Sequence, residues 1–356
     1  MKELAKMLKD PNVPESVKTT VQSMNNDGMQ LLNDYYDKNS NFYQHAQPEI
    51  IANEFYADPN KLKKLYHYTS YEAFERILSS STFLIGSIHY MNDNKEIKYV
   101  YELMKKELKL LGAPNDIILK LEELNTILPD DVYVWSFSEN DYSQALSNYG
   151  DVALGFDSQE IMEHLASYYS KGKKTLDEYT VGNAYVFPLK VEYDYEVQSK
   201  YITTLAHAWY VAHDNFEKDP YDMDEIIKSI VQALHFFSLF FKNPHLRQEE
   251  EIRYIIFNIN EDNLLKPELY MNSKPFTTCK FTYEILKEII IGSVAKLKLY
   301  AHLYKTIKAN IVLTVKSFVS INYFFVFQYK YYMIFNFATE PKNLILQLFE
   351  NSKSRV

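Results

Sequence analysis

One cysteine, Cys279, in 356 residues leaves no partner for an internal disulfide. The opening MKELAKMLKD lacks the apolar stretch and small-residue cleavage site of a secretory leader. Both observations lead to the expectation of a cytoplasmic protein. Eight glycines and twelve prolines exclude collagen-like and linker-like chains, and 47% hydrophobic residues exclude a disordered one. Glycine is also missing where phosphate chemistry needs it: GxGxxG, GxxxxGK and GxSxG are all absent. The commonest dehydrogenase, P-loop and hydrolase readings go with them. The nine histidines form no HxxxH or HxxH pair, so no metal is expected. The richest apolar stretches, Ile226 to Phe241 and Ile311 to Phe337, are broken by Lys228, His235, Lys316, Gln328 and Lys330. Neither offers the roughly 20 apolar residues of a membrane span, so no membrane partner is expected.

What is present is a 15% aromatic, 24% charged chain of net charge −9, long enough for one elaborated domain or two. Residues 280–356 carry 11 Lys and Arg against 4 Asp and Glu, a net of +7, which leaves −16 on the rest. An acidic body of that size argues against nonspecific duplex binding.

The first 60 residues read as a helical N-terminal arm, with one helix opening at Pro14-Glu15-Ser16, running to Leu32 and ending before Asn39-Ser40-Asn41. From residue 61 onward the pattern predicts a single α+β domain. Its strands are Leu65–Tyr68, Phe83–Ile85, Val132–Ser138, Val152–Phe156, Tyr185–Tyr193, Ile252–Ile259, Ile289–Ile291, Ile311–Val315 and Tyr331–Phe337. Thr69 and Glu72 read as the N-cap and N3 of a capping box, ahead of a helix with Tyr71, Phe74, Ile77 and Leu78 on one face. A second helix follows from Glu96 to about Leu111, and a helical insertion spans about 201–241. Strands outnumber regular crossover helices, which favours a mixed sheet over a doubly wound one.

Four clusters carry polar chemistry. His67 lies in an aromatic strand and, with Thr69, can face a cleft at the strand's end; its bland alternative is a core histidine bonded to a carbonyl. Glu249, Glu251 and Arg253 share one face under a period of two, which suits one raised and one ionised carboxyl beside a guanidinium. An exposed charged strand entrance is the alternative there. Tyr149 before Gly150 can present a ring for stacking, or simply cover the core from a turn, near Ser136 and Ser138. Asn92 and Asp93 with Glu96 form either a polar site or a helix cap.

In order, Leu65-Tyr66-His67-Tyr68-Thr69-Ser70, Met91-Asn92-Asp93 with Glu96, Phe137-Ser138-Glu139, Tyr149-Gly150-Asp151, Lys242 with Glu249, Glu251 and Arg253, and Ile290-Ile291-Gly292 resemble a bacterial family of unknown function found in phage-defence and abortive-infection contexts. The His-Tyr-Thr motif is similar to the first motif of the ADP-ribosyltransferase superfamily. The resemblance implies a split mixed β-sheet and NAD as substrate. It makes Glu251 the catalytic carboxylate, Glu249 the group that orients or deprotonates the acceptor, and His67 the partner of the nicotinamide-side ribose. Tyr149 would stack, Tyr68, Thr69 and Ser138 would line the NAD site, and Arg253 or Lys242 would pair with pyrophosphate. A protein, a nucleic-acid base or water would accept the ADP-ribose, and a regulatory protein of a defence or toxin system would restrain the activity. Two other functions stay open: a catalytically silent sensor or interaction module using the helical additions, and a carboxylate-dependent nucleic-acid processing enzyme built on Asn92, Asp93, Glu249 and Glu251.

Overall fold

A computed structural model describes residues 1–88, 94–124, 132–141, 143–169, 184–215, 220–258, 269–272, 274–291, 312–316 and 330–333. The chain opens with five short helices, α1 (Lys2–Lys9), α2 (Glu15–Gln22), α3 (Asn26–Tyr36), α4 (Asn41–Ala46) and α5 (Pro48–Glu54). The sheet begins at β1 (Lys64–Thr69), followed by α6 (Tyr71–Ser80), β2 (Thr82–Ser87), α7 (Asn94–Leu110), α8 (Asn115–Leu124), β3 (Val132–Ser138), β4 (Val152–Asp157), α9 (Ser158–Tyr169) and β5 (Ala184–Lys190). Helices α10 (Tyr195–Asn215) and α11 (Pro220–Phe237) then precede β6 (Glu251–Asn258), β7 (Leu269–Met271), β8 (Lys274–Lys280), β9 (Leu286–Ile291), β10 (Val312–Lys316) and β11 (Lys330–Met333).

The fold is α+β, with one curled sheet in which, among the described strands, every pairing but the parallel β9–β10 pair is antiparallel. Its centre is β3. One edge of β3 pairs with β6 along its whole length, and β5 lies beyond β6. The other edge is shared: Tyr133 and Val134 pair with β2, whereas Ser138 pairs with Tyr66 of β1. The sheet therefore forks there, one arm running β1-β4-β9-β10-β11 and the other β2-β8-β7.

Alternation along the strands gives each face its own core. Val132 and Val134 of β3, Phe187 and Leu189 of β5 and Ile255 of β6 face a helical layer. Tyr133, Trp135, Phe137, Ile252, Tyr254 and Ile256 face the other way, toward α6 and α9. The helical layer combines α1 to α5 with α7, α8, α10 and α11 in one continuous apolar core, so the N-terminal arm and the insertion pack together. Helix α10 buries Tyr201, Ile202, Leu205, Ala206, Ala208, Trp209, Val211 and Ala212, residues spread around most of its circumference, as a central helix must.

Local chemistry revises several expectations. The single N-terminal helix is two, because the Asn25 side chain accepts from Gly28 N and starts α3 afresh. Ser70, not Thr69, caps α6: its hydroxyl accepts from Ala73 N, while β-branched Thr69 completes β1 opposite Val152. The insertion begins earlier than expected, at Tyr195. Helix α6 buries the predicted Tyr71, Phe74, Ile77 and Leu78. Asn92, Asp93 and Gly292 lie outside the described residues. Among the described residues, no helix is long and apolar enough to cross a membrane.

Candidate active site

Five charged side chains meet between the helical layer and the sheet. Glu251 and Arg253 begin β6 on the face opposite Ile252 and Tyr254. Glu249 does not share their strand register, as a period of two requires. It ends a 3-10 turn, Pro244–Glu249, and Glu250 follows with φ of 45°, a left-handed residue that interrupts the alternation. That kink still returns the Glu249 carboxylate toward Glu251, through a shared partner seven residues upstream.

The partner is Lys242. Its ammonium stands 2.6 Å from Glu249 Oε2, 2.9 Å from Glu251 Oε2 and 2.9 Å from Glu96 Oε1 on α7. Arg253, fully buried, donates from Nε to Glu251 Oε1 (2.9 Å), from Nη1 to the Leu239 carbonyl (2.7 Å), and from Nη2 to Glu96 Oε2 (2.6 Å) and Glu251 Oε2 (3.1 Å). The stretch carrying Lys242 is pinned by Gln198 of α10, whose side-chain amide donates to the carbonyls of Glu192 and Lys242. Tyr193 accepts the Glu251 backbone N–H at 3.3 Å. Glu96 was legible only as a cap or polar-loop residue; its role depends on a contact 157 residues away in sequence.

Three carboxylates against two cations leave the cluster one formal negative charge. Of the six carboxylate oxygens, five hold an ammonium or guanidinium N–H. The sixth, Glu249 Oε1, is approached among the described residues by the hydroxyl of Tyr149, at 3.5 Å. Tyr149 is 46% exposed, so this corner leads to the surface. The two acids are pushed apart. Burial would raise Glu251, but Arg253 and Lys242 overcome it and hold the carboxyl at about 2. Glu249 is raised from the ordinary carboxylate value by burial, which its share of Lys242 only partly offsets, with repulsion from Glu251 and Glu96 adding to it. The same carboxylates raise Lys242 and Arg253 against burial, so both stay charged.

The remaining predicted residues divide between the faces. His67 packs against the rings of Phe83, Trp135 and Phe137, with centroids 5.9–6.1 Å away. Those rings lie on the face of β3 opposite Ser136 and Ser138, which pair with Arg253 and Glu251. The sheet thus separates His67 from the carboxylates. Its Nδ1 lies 3.0 Å from the Ser136 carbonyl, in the fork between the β1 and β2 pairings of β3, and since a carbonyl only accepts, Nδ1 carries the proton. Burial lowers the His67 pKa, opposed in part by that bond, and favours the neutral ring.

Thr69 is buried beside it in β1. Tyr68 points to the carboxylate side but spends its hydroxyl on the backbone of the β3–β4 loop, donating to Asn140 O at 2.7 Å and accepting from Ser143 N at 2.8 Å. Ser138 is also occupied, donating to the Glu249 carbonyl at 2.8 Å and accepting from Asn140 N at 3.1 Å. Lys242 and Arg253, expected to pair with pyrophosphate, instead serve the carboxylates. The structure therefore brings together Glu249, Glu251, Arg253, Lys242 and Tyr149, adds Glu96, and leaves His67 apart.

Comparisons with protein-family models, with curated proteins and with solved structures find no match to this chain.

Proposed function

We propose that the chain is an enzyme of ADP-ribosyltransferase-like type that cleaves the nicotinamide–ribose bond of NAD, acting as a defence or toxin effector. The observation that supports this reading is the asymmetry of the carboxylate pair: Glu251 is fixed as an anion, while Glu249 is raised and has, at its Oε1, the hydroxyl of the half-exposed Tyr149 rather than a cation. In the reaction, the C–N bond electrons leave with nicotinamide, which departs neutral, and positive charge develops on the ribose. The net negative cluster stabilises that charge electrostatically. An acceptor hydroxyl, amine or water then bonds to the ribose carbon and gives its proton to Glu249 Oε1, where a raised pKa strengthens the base. His67, on the other face of the sheet, takes no part in these steps.

The test is NAD consumption by the purified chain, alone and with cell lysate, beside Glu249→Gln. The expected outcome is turnover by the parent protein and a loss on the order of 100-fold or more in the variant. NAD untouched in both conditions, with no heat of NAD binding, overturns the proposal. In that event the second reading takes over: a non-catalytic interaction module. It is favoured by the closure of the network, in which Lys242 and Arg253 tie α7 and the end of the helical layer to β6.

A further inference from the structure

Tyr68 lies on β1, yet its hydroxyl organises a loop from another pair of strands. Residues 139–151 connect β3 to β4, and the two hydrogen bonds of the Tyr68 hydroxyl, to Asn140 O and from Ser143 N, clamp Asn140 and Ser143 to β1. The Ser138 hydroxyl joins this part to the Glu249 carbonyl, and the Ser143 hydroxyl donates to the Gln248 carbonyl at 3.3 Å. The last part is held by close packing. Gly150 has φ of 153°, and a Cβ there would stand 2.1 Å from the Thr69 carbonyl oxygen and 2.5 Å from Ser70 N. The loop is thus fastened to consecutive residues of one strand, Tyr68 and Thr69, and touches the turn that carries Glu249 between those points. Tyr149, adjacent to Gly150, is delivered by this fastening to Glu249 Oε1.

We propose that Tyr68 is a positioning residue of the site: through its hydroxyl it fixes Asn140 and Ser143 in the register that seats Tyr149 on Glu249 Oε1. This rests on the proposed role for Glu249 and replaces the expected contact of Tyr68 with NAD. The hydroxyl both donates and accepts, so a phenylalanine preserves the ring's packing while deleting both bonds at once. It leaves the Asn140 carbonyl and the Ser143 N–H without this partner.

The experiment compares the full-length parent chain with Tyr68→Phe, Tyr149→Phe and Tyr66→Phe. The last is a control on the same strand and face, where the Tyr66 hydroxyl donates to Glu288 Oε2 at 3.2 Å. Hydrogen exchange at the Ser143 amide is expected to quicken about tenfold in Tyr68→Phe and to stay at the parent rate in Tyr66→Phe. The Glu249 carboxyl titration, read by carbon NMR on glutamate-labelled protein and assigned with Glu249→Gln, is expected to shift alike in Tyr68→Phe and Tyr149→Phe. Parent-like exchange at Ser143, or a Tyr68→Phe titration that coincides with the parent while Tyr149→Phe moves, overturns the proposal. Neither readout needs turnover, so a protein that leaves NAD untouched sinks the enzymatic reading without deciding this one.

Discussion

The two faces of the β3–β6 pair hold opposite chemistries on the same backbone. On one, Trp135, Phe137, Ile252 and Tyr254 build an aromatic and aliphatic core around His67. On the other, one residue away along each strand, Ser136, Ser138, Glu251 and Arg253 sit in a charged cluster joined by Lys242 and by Glu96 of α7. The apolar face is held by area removed from water, and burial pushes His67 within it toward its neutral form. The ionic face is held by mutual compensation, so each member's removal strands its partners. The difference also separates candidate chemistry from scaffolding. A histidine beside a motif is not in the site when the pleat turns it away.

The sharpest break of this comparison pairs Arg253→Met with Phe137→Ala. Each is expected to cost about 3–5 kcal/mol in urea unfolding, the first by leaving three carboxylates to share Lys242 alone, the second by opening a cavity. Only the Arg253→Met loss should vary between pH 3 and 7; equal, flat pH profiles would show that the cluster contributes no charge pairing. Next comes the pH dependence of the parent protein. Glu251 is held at about 2, below its ordinary 4.5, so the stability it contributes is present above 4.5 and lost as pH falls toward 2. That contribution is on the order of 3 kcal/mol, and Glu251→Gln should erase it. Glu249 is raised, so its contribution has the opposite sign: present below 4.5 and lost as pH rises through its folded value. Glu249→Gln should therefore remove the loss of stability that sets in as pH rises above 4.5 and leave the Glu251 contribution on the acid side intact. The smallest effect belongs to His67→Phe. Removing the donor to the Ser136 carbonyl is expected to cost about 1–3 kcal/mol, with NAD consumption held within about threefold of the parent. A larger activity loss would place His67 in the chemistry after all.

Strands with clean alternation were legible residue by residue: Val132–Ser138 matches β3 at both ends. Strand β8, Lys274–Lys280, was not anticipated, because KPFTTCK carries a proline and only one large apolar residue, too little hydrophobic pattern to mark a strand. The pairing of Glu249 with Glu251 and Arg253 was anticipated, although by the wrong geometry. A left-handed Glu250 and a 3-10 turn accomplish what strand alternation was expected to do. Glu96 and the shared Lys242 contact depend on tertiary folding, and spacing along the chain carries no signal for them. The same holds for the face of His67, which is set by the pairing of β1 with β3 rather than by the sequence around it.

The glycine wedged against Thr69 and Ser70 also limits how this chain can change in length. Since Gly150 cannot accept a side chain and Tyr68 grips Asn140 and Ser143, residues 143 and 150 are both fixed to one short stretch of β1. An added or deleted residue has to be absorbed between 144 and 148, where Leu146–Tyr149 makes a single tight turn. Insertions placed there re-aim Tyr149 toward or away from Glu249.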